Sequence, residues 1–217
     1  MKKILFILVL LVPFSAHATA AAVRCPLPLR TQGKVNYFLT SFANIKVTVG
    51  KYVPSDLVLV DTTLTKDGRN YCLRKNTYNA FLEMNTALKN DTDLSLIIRS
   101  GFRSYTTQQT VKEVHEDYAA LPGRSEHQLG TAVDLIGSVP NEKFVDSKEY
   151  LWMREHAATY GFVESFQAQY SQKTGMVGEP WHWRYVGPEM AQLIKSSRKD
   201  SNAYLLYWYF KQRFFTR

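Results

Sequence analysis

The feature that most constrains how this chain can fold is a pair of polar segments far apart in the sequence, at residues 125–134 and 179–185. The first contains His127 and Asp134, and the second contains Glu179 and His182. Zinc favours imidazole nitrogens combined with a carboxylate oxygen, and a catalytic zinc leaves its fourth position open for water. We therefore predict a zinc ion held by His127, Asp134 and His182, with Glu179 left free to act as a base toward that water.

Both segments match a known sequence pattern. Ser-x-His-x-x-Gly-x-Ala-x-Asp, which ends at Asp134, and the later Glu-x-Trp-His, which ends at His182, resemble the zinc D,D-carboxypeptidases of the VanY type. That family belongs with lysostaphin-like peptidases and the hedgehog domain in one structural group. The resemblance extends roughly from Val53 to Gly187. It implies an α+β fold in which a small, mainly antiparallel sheet carries the zinc site and is flanked by helices.

A third segment, Ser-Gly-Phe-Arg-Ser-Tyr-Thr-Thr-Gln at residues 100–108, is similar to the Ser-Gly-Tyr-Arg-Ser-x-x-x-Gln signature of the same family. Phe102 stands where the family usually has tyrosine, so any role of a hydroxyl group there is absent. The resemblance implies that Arg103 polarises the carbonyl of the cleaved bond and that Gln108 lines the substrate site. An arginine at a strand end offers a fixed fork of donors to an oxyanion or a carboxylate. Without the zinc motifs, Arg103 would be read as an ordinary surface cation.

Two further residues are candidates for substrate binding. Ser125 resembles the family serine that contacts the end of the substrate. Trp181 lies between Glu179 and His182 and is a candidate for stacking on the substrate. Packing around the metal-binding strand is the favoured alternative for both Trp181 and Trp183.

The spacing of the first two ligands predicts a bend between them. His127 precedes Asp134 by seven positions, and residues an odd number apart on a straight strand point to opposite faces. Gly130 supplies the permissive backbone that such a bend needs. Apolar patterns elsewhere predict a helix over 77–89, with Asn76 or Thr77 as its cap, and a helix that opens within the segment at 100–108 and continues to about 120, with Val114 turned inward. They also predict a helix over 147–160, with Ser147 as its N-cap and Gly161 at its stop, and a helix from 188 to about 195. Strands are predicted over 57–60, 94–99, 131–136, 162–164 and 181–186, and a loop over 165–178.

The N-terminus has the pattern of an export signal. Lys2 and Lys3 precede an apolar run from Ile4 to Phe14, and two Ala-x-Ala sites follow. The run is too short for a typical membrane-spanning helix, although an uncleaved anchor is the alternative. We predict that residues 1–20 are a signal peptide and that the mature protein is periplasmic or extracellular.

Export would allow the two cysteines of the chain, Cys25 and Cys72, to form a disulfide bond. In an oxidising compartment they are the only pair available for a disulfide bond. Such a bridge would tie the N-terminal segment to the start of the domain and contribute up to about 4 kcal/mol on the chain-entropy model. Two buried free thiols are the alternative.

The remaining chain divides into an N-terminal segment at 21–52, a metallopeptidase domain at 53–197 and an aromatic C-terminal helical tail at 198–217. A short helix is predicted around Phe38. The tail is predicted to pack on the domain, with a surface helix that touches membrane as the weaker alternative. The formal net charge of +8 suits an anionic partner such as a cell wall or lipid surface. We find no nucleic-acid-binding motif.

These observations predict a zinc D,D-carboxypeptidase that removes the terminal D-alanine from peptidoglycan stem peptides. An L,D-carboxypeptidase acting on the tetrapeptide, or an endopeptidase acting on cross-links, is the alternative within the enzymes. A non-catalytic, zinc-stabilised module that binds cell wall or protein is the alternative from another class. Glu179 and Arg103 argue against that module, because binding alone would need neither side chain.

Overall fold

The computed structural model of the protein describes residues 23–27, 48–117, 119–174, 176–205, 207 and 211. The predicted signal peptide and the short helix predicted around Phe38 lie outside these residues, and the predicted segment boundaries stay predictions. Within the described part of the chain, no helix is both long enough and apolar enough to cross a membrane.

The strands form two antiparallel sheets. Two short strands pair as a hairpin, and four others form the central sheet in the order β3-β4-β6-β5, with every neighbouring pair antiparallel. Their bounds are β1 Leu57–Leu59, β2 Cys72–Arg74, β3 Leu96–Ser100, β4 Ala132–Gly137, β5 Phe162–Glu164 and β6 His182–Tyr185. Together with the helices below, this arrangement confirms the predicted α+β class and its small antiparallel sheet.

Helices surround the central sheet. The α-helices are α1 Lys75–Thr92, α2 Tyr105–Val114, α3 Lys148–His156, α4 Ser171–Thr174 and α5 Pro188–Ser197. Short 3-10 turns lie at Thr62–Leu64, Lys66–Gly68, Glu126–Leu129, Phe144–Asp146, Ala157–Tyr160 and Ala168–Tyr170. In the C-terminal tail, residues 198–200 are non-helical and residues 201–205, 207 and 211 are helical, and the other positions lie outside the described residues.

The main core lies on one face of the central sheet. Helix α1 repeats apolar residues three or four positions apart, which places them on one side of the helix. That side packs against the sheet in a single cluster with α3, whose buried members include Phe81, Met84, Leu88, Ile98, Val133, Leu135, Met153 and Trp183. The opposite face of strands β4 and β6 is therefore left to carry polar side chains.

The helix ends show which local signals decide the structure. Ser147 caps α3 by accepting a hydrogen bond from the backbone N–H of Tyr150, and the turn after α3 ends at Gly161 with a φ of 85°, as predicted. The cap predicted at Asn76 or Thr77 is wrong, because α1 begins at Lys75 with Arg74 at its N-cap and no side-chain hydrogen bond there.

The second helix is also shorter than predicted. Helix α2 ends at Val114 instead of continuing to about residue 120, and the Val114 side chain is 69% exposed rather than turned inward. The region predicted as a loop over 165–178 contains the 3-10 turn Ala168–Tyr170 and the short helix α4.

The predicted disulfide bond is present between Cys25 and Cys72. Cys72 is the first residue of β2, so the bridge attaches the N-terminal segment to the small hairpin. The backbone carbonyl of Cys72 in turn accepts a hydrogen bond from the N–H of Phe102, at 2.8 Å. The disulfide bond is therefore connected, through the backbone of Cys72, to Phe102 in the segment that follows β3.

Glu164 gives a pH-dependent stability prediction. This β5 side chain is only 5% exposed, and burial raises the pKa of its carboxyl to about 7 despite the nearby Arg154 and the hydroxyl of Tyr150. A carboxyl whose pKa is higher in the folded state destabilises that state as the pH rises from about 4.5 to 7. Glu164→Gln should therefore leave stability unchanged at pH 4 and raise the free energy of unfolding by about 1–3 kcal/mol at pH 8.

Urea unfolding of metal-free protein at both pH values measures this difference. Glu83→Gln, on the exposed side of α1, is the matched control and should show no pH-dependent change relative to wild type. A gain for Glu164→Gln at pH 4 that equals the gain at pH 8 would contradict the assignment.

Candidate metal centre

Three side chains from separate elements converge beside the polar face of the sheet. Asp134 on β4 pairs directly with His182 on β6, and His127 comes from the 3-10 turn that precedes β4. Gly130 ends that turn with a φ of 68°, which is the predicted bend. A Cβ atom at this position would also lie 2.9 Å from a methyl group of Leu57. The predicted bend therefore brings His127 back over Asp134.

The ligand atoms of the three predicted residues all lie within 4.8 Å of one another. Nε2 of His127 is 3.3 Å from Oδ1 of Asp134, and Nδ1 of His182 is 3.0 Å from the same oxygen. A tetrahedral zinc ion with bonds of about 2.0–2.1 Å holds its ligand atoms about 3.3 Å apart. The spacing of these atoms therefore fits such an ion.

His127 is held in the tautomer that a metal requires. Its Nδ1 lies 2.7 Å from the carbonyl oxygen of Gly101, and because a carbonyl only accepts, Nδ1 must carry the proton. Nε2 is buried, has no hydrogen-bond partner within the described part of the chain and lies 3.3 Å from Oδ1 of Asp134, so its lone pair is directed into the cluster. Burial and the charge of Arg103 lower the pKa of His127 to about 4, which keeps the ring neutral.

His182 is held from both sides by carboxylates. Its Nδ1 faces Asp134, and its Nε2 is 2.9 Å from Oε2 of Glu126. Although burial opposes a charged ring, the hydrogen bonds to Asp134 and Glu126 raise the pKa of His182 to about 10. A metal ion must therefore displace the Nδ1 proton, while the Nε2–H bond to Glu126 can remain.

Glu126 also belongs to the site, although no sequence motif described above gives it a role. It accepts hydrogen bonds from His182, from the Ser165 hydroxyl at 2.6 Å and from the Arg184 guanidinium at 2.8 Å. Burial opposes ionisation, but Arg184 and the hydrogen bonds lower the pKa of Glu126 to about 2. Glu126 and Arg184 are 2% and 1% exposed, so they form a buried ion pair behind His182. Arg184 lies two residues after His182, so both side chains are on the same face of β6.

Glu179 lies next to the cluster without belonging to it. Its Oε2 is 3.8 Å from Nδ1 of His182, and its backbone N–H is anchored to the carbonyl of Phe166 at 2.8 Å. Burial raises the pKa of the Glu179 carboxyl, with the charge of Asp134 acting in the same direction. A raised pKa brings a carboxylate closer to the range in which it exchanges protons at neutral pH.

A cavity of about 620 Å³ opens over the cluster, and all of the predicted substrate-site residues line it: Arg103, Gln108, Ser125 and Trp181. Arg103 is placed by its backbone N–H, which donates to the carbonyl of His127. Among the residues that the structure describes, neither Nε of Arg103 nor Oε1 of Gln108, both buried, has a hydrogen-bond partner. Trp183 instead packs in the core on the other face of the sheet, as predicted. The cavity thus joins the ligand cluster, a free carboxylate and unpaired polar groups, which is the layout of a hydrolytic metal site.

Comparison with known proteins identifies the family. Residues 70–188, more than half of the chain, match the VanY family, described as D-alanyl-D-alanine carboxypeptidase. The chain belongs to this family, so the predicted resemblance is confirmed. The Bacillus subtilis (strain 168) protein YodJ is 34% identical over 164 residues, which cover 68% of this chain and 59% of YodJ. The chain thus spans about three fifths of the length of that relative.

Two solved structures share the fold. The LdcB LD-carboxypeptidase has a TM-score of 0.64 and 29% identity, and the match covers 75% of this chain and 86% of LdcB. The vancomycin resistance D,D-pentapeptidase VanY, solved as a point mutant in complex with Zn(II), has a TM-score of 0.65 and 24% identity. That match covers 77% of this chain and 99% of VanY, and it supports the fold assignment.

Proposed function

We propose that this protein is a zinc-dependent D,D-carboxypeptidase that hydrolyses the terminal D-Ala-D-Ala bond of peptidoglycan stem peptides. One observation carries the proposal: a His-Asp-His cluster with its ligand atoms within 4.8 Å lies on the wall of a cavity, with the unligated Glu179 carboxylate 3.8 Å from His182. Membership in the VanY family supports the choice of bond.

In this proposal Glu179 acts first as the general base and then as the general acid of the reaction. Zinc, when bound by His127, Asp134 and His182, supplies a Lewis acid that activates water and polarises a carbonyl group. Glu179 takes one proton from the attacking water as the oxygen of that water bonds to the carbonyl carbon. When the C–N bond breaks, Glu179 gives that proton to the nitrogen of the departing D-alanine.

Arg103 would stabilise the charge that develops on the carbonyl oxygen. Arg103 lines the cavity together with Asp134, Glu179 and His182, so its guanidinium lies beside the reacting bond of a bound peptide. Burial lowers the pKa of Arg103, although Asp134 and Glu179 favour its charged form. Gln108 and Ser125, which line the same cavity, would hold the end of the substrate.

We also propose that the protein acts outside the cytoplasm. The N-terminal signal pattern and the Cys25–Cys72 disulfide support export, because disulfide bonds persist mainly in oxidising compartments. Peptidoglycan lies in the same compartment.

An L,D-carboxypeptidase is the second candidate. LdcB, an LD-carboxypeptidase, is similar to this chain at 29% identity over 75% of its length. The two activities use the same hydrolytic chemistry and differ in the residue that precedes the cleaved bond.

Defined stem peptides test the proposal. The purified, zinc-loaded protein should release one D-alanine from a pentapeptide ending in D-Ala-D-Ala. It should cleave the tetrapeptide at least about tenfold more slowly than the pentapeptide. Mass analysis of the products measures both rates. Chelation should abolish release and added zinc should restore it, because the ligand cluster has no catalytic substitute for the ion.

The other outcomes separate the alternatives. Faster cleavage of the tetrapeptide identifies an L,D-carboxypeptidase, and cleavage of cross-linked dimers alone identifies an endopeptidase. Tight binding to peptidoglycan with no product from any stem, with zinc loaded, would support the non-catalytic module.

A further inference from the structure

The cavity over the metal cluster has a second cationic region, formed by Arg69 and Arg99, that the proposed mechanism does not use. Arg99 lies on β3, and Arg69 lies between the two strands of the hairpin. Among the residues that the structure describes, neither guanidinium has an acidic partner within ion-pair distance. We call Arg69 and Arg99 the arginine wall.

A β-bulge places Arg99 in the cavity. Ile98 pairs with Leu135 and Ser100 pairs with Asp134, so Arg99 is an extra residue with no partner of its own on β4. Bulges next to active sites re-aim a side chain that a regular strand would direct elsewhere. Here Arg99 and Ser100 both line the cavity, on the strand adjacent to the ligand Asp134.

An aromatic ring supports the Arg99 side chain. Its guanidinium lies 5.2 Å from the centre of the Trp181 ring, over one face. Trp181 directly precedes His182 and packs against the core cluster, so it forms a fixed platform. A guanidinium stacked on a ring keeps its N–H groups free for an anion, and less side-chain entropy is lost when that anion binds.

The charges near the metal cluster suggest what the arginine wall binds. Arg103 interacts electrostatically with Asp134 and Glu179, whereas the arginine ion pairs within 4.0 Å among the described residues involve neither Arg69 nor Arg99. Arg99 is half-buried and Arg69 is exposed, so the wall extends outward toward the mouth of the cavity. A carboxypeptidase holds the chain end inside its site, and the rest of the peptide must leave through the mouth. The wall therefore faces the upstream part of the peptide.

We infer that the arginine wall binds a second carboxylate of the substrate, upstream of the bond that is cleaved, and so selects acidic stem peptides over their amidated forms. This inference rests on the proposed carboxypeptidase function and adds Arg99 as a specificity-determining residue. A guanidinium recognises a carboxylate through two parallel hydrogen bonds and gains little from a carboxamide, which cannot accept both.

Two peptides that differ in one group test the inference. Both end in D-Ala-D-Ala with a free terminal carboxylate, and one carries an upstream carboxylate where the other carries a carboxamide. Wild-type kcat/KM should be at least about tenfold higher for the acidic peptide. Arg99→Gln should lower kcat/KM for the acidic peptide about tenfold, mainly by raising KM. The same variant should leave kcat/KM for the amidated peptide unchanged.

Further variants separate charge from fold. Arg99→Lys should keep part of the preference because it keeps the charge, and Arg99→Glu should reverse it. Arg198→Gln, at an exposed arginine on a different cavity, is the matched control and should keep the wild-type preference. Thermal unfolding of each variant checks that the fold is retained.

Three results would overturn the inference, and they are distinguishable. If Arg99→Gln slows both peptides equally, Arg99 serves the terminal carboxylate or the fold. If wild type cleaves both peptides equally well, the arginine wall does not select, although the carboxypeptidase function stands. If wild type releases no D-alanine from either peptide, the proposed function fails as well.

Discussion

A Glu179→Gln variant is expected to lose about 10²–10⁴-fold in kcat while it keeps its zinc. Glutamine has the shape of glutamate but cannot take a proton from water at neutral pH. Glu179 lies 3.8 Å from His182, outside the group of three ligand atoms, so its replacement leaves the ligand set intact. Release of D-alanine measures kcat, and the zinc content of the purified protein measures the ligand set.

The control for this experiment is Asp134→Asn, which alters a proposed ligand and should lose both zinc and activity. The pair of variants separates chemistry from metal binding. A Glu179→Gln protein that retains more than half of the wild-type kcat would exclude Glu179 as the base. Loss of zinc from the same variant would instead make Glu179 a ligand.

The second large effect is expected at Glu126. A Glu126→Gln variant should lose about 3–5 kcal/mol of folding stability and bind zinc about 10–100-fold more weakly. Glu126 uses separate oxygens for Arg184 and His182, and a glutamine has only one oxygen to offer. The variant therefore leaves either the buried guanidinium or the His182 ring without its acceptor. Urea unfolding of metal-free protein and competition with a zinc chelator measure the two effects.

A double variant separates those two effects. Glu126→Gln combined with Arg184→Met removes both buried charges and should recover most of the lost stability, because replacing a whole buried ion pair costs little. Zinc affinity should recover only in part, since the glutamine oxygen is then free to accept from the Nε2–H of His182 but carries no negative charge. If the double variant regains wild-type zinc affinity, the charge of Glu126 is not needed for zinc binding.

The sequence predicted the site better than it predicted the ends of the helices. His127, Asp134 and His182 could be found because metal chemistry accepts few residue types, and Gly130 marked the bend between two of them. Helix ends depend on weaker preferences that packing overrides. Helix α2 ends at Val114 although the sequence offered apolar residues for a longer helix.

Glu126 and Arg99 show what the sequence could not supply. Glu126 reads as an ordinary acid in a polar segment, and its role depends on Arg184 and Ser165, 58 and 39 positions away in the chain. Arg99 enters the cavity because β3 has one more residue than β4 between two paired positions. Such a bulge is set by the pairing of two distant strands, and the alternation within one strand does not reveal it.

The Cys25–Cys72 bridge bears on the metal site through the backbone. The carbonyl of Cys72 holds the N–H of Phe102, and the carbonyl of the preceding residue, Gly101, holds the Nδ1 proton of His127. A Cβ atom on Gly101 would lie 2.8 Å from the Cys72 carbonyl, so the two backbones are in close contact. Reducing the bridge would loosen the strand against which this histidine is aligned. On the proposed function, oxidation of the two thiols would help to hold His127 in place for a metal ion, and the same chain kept reduced would bind that ion less tightly.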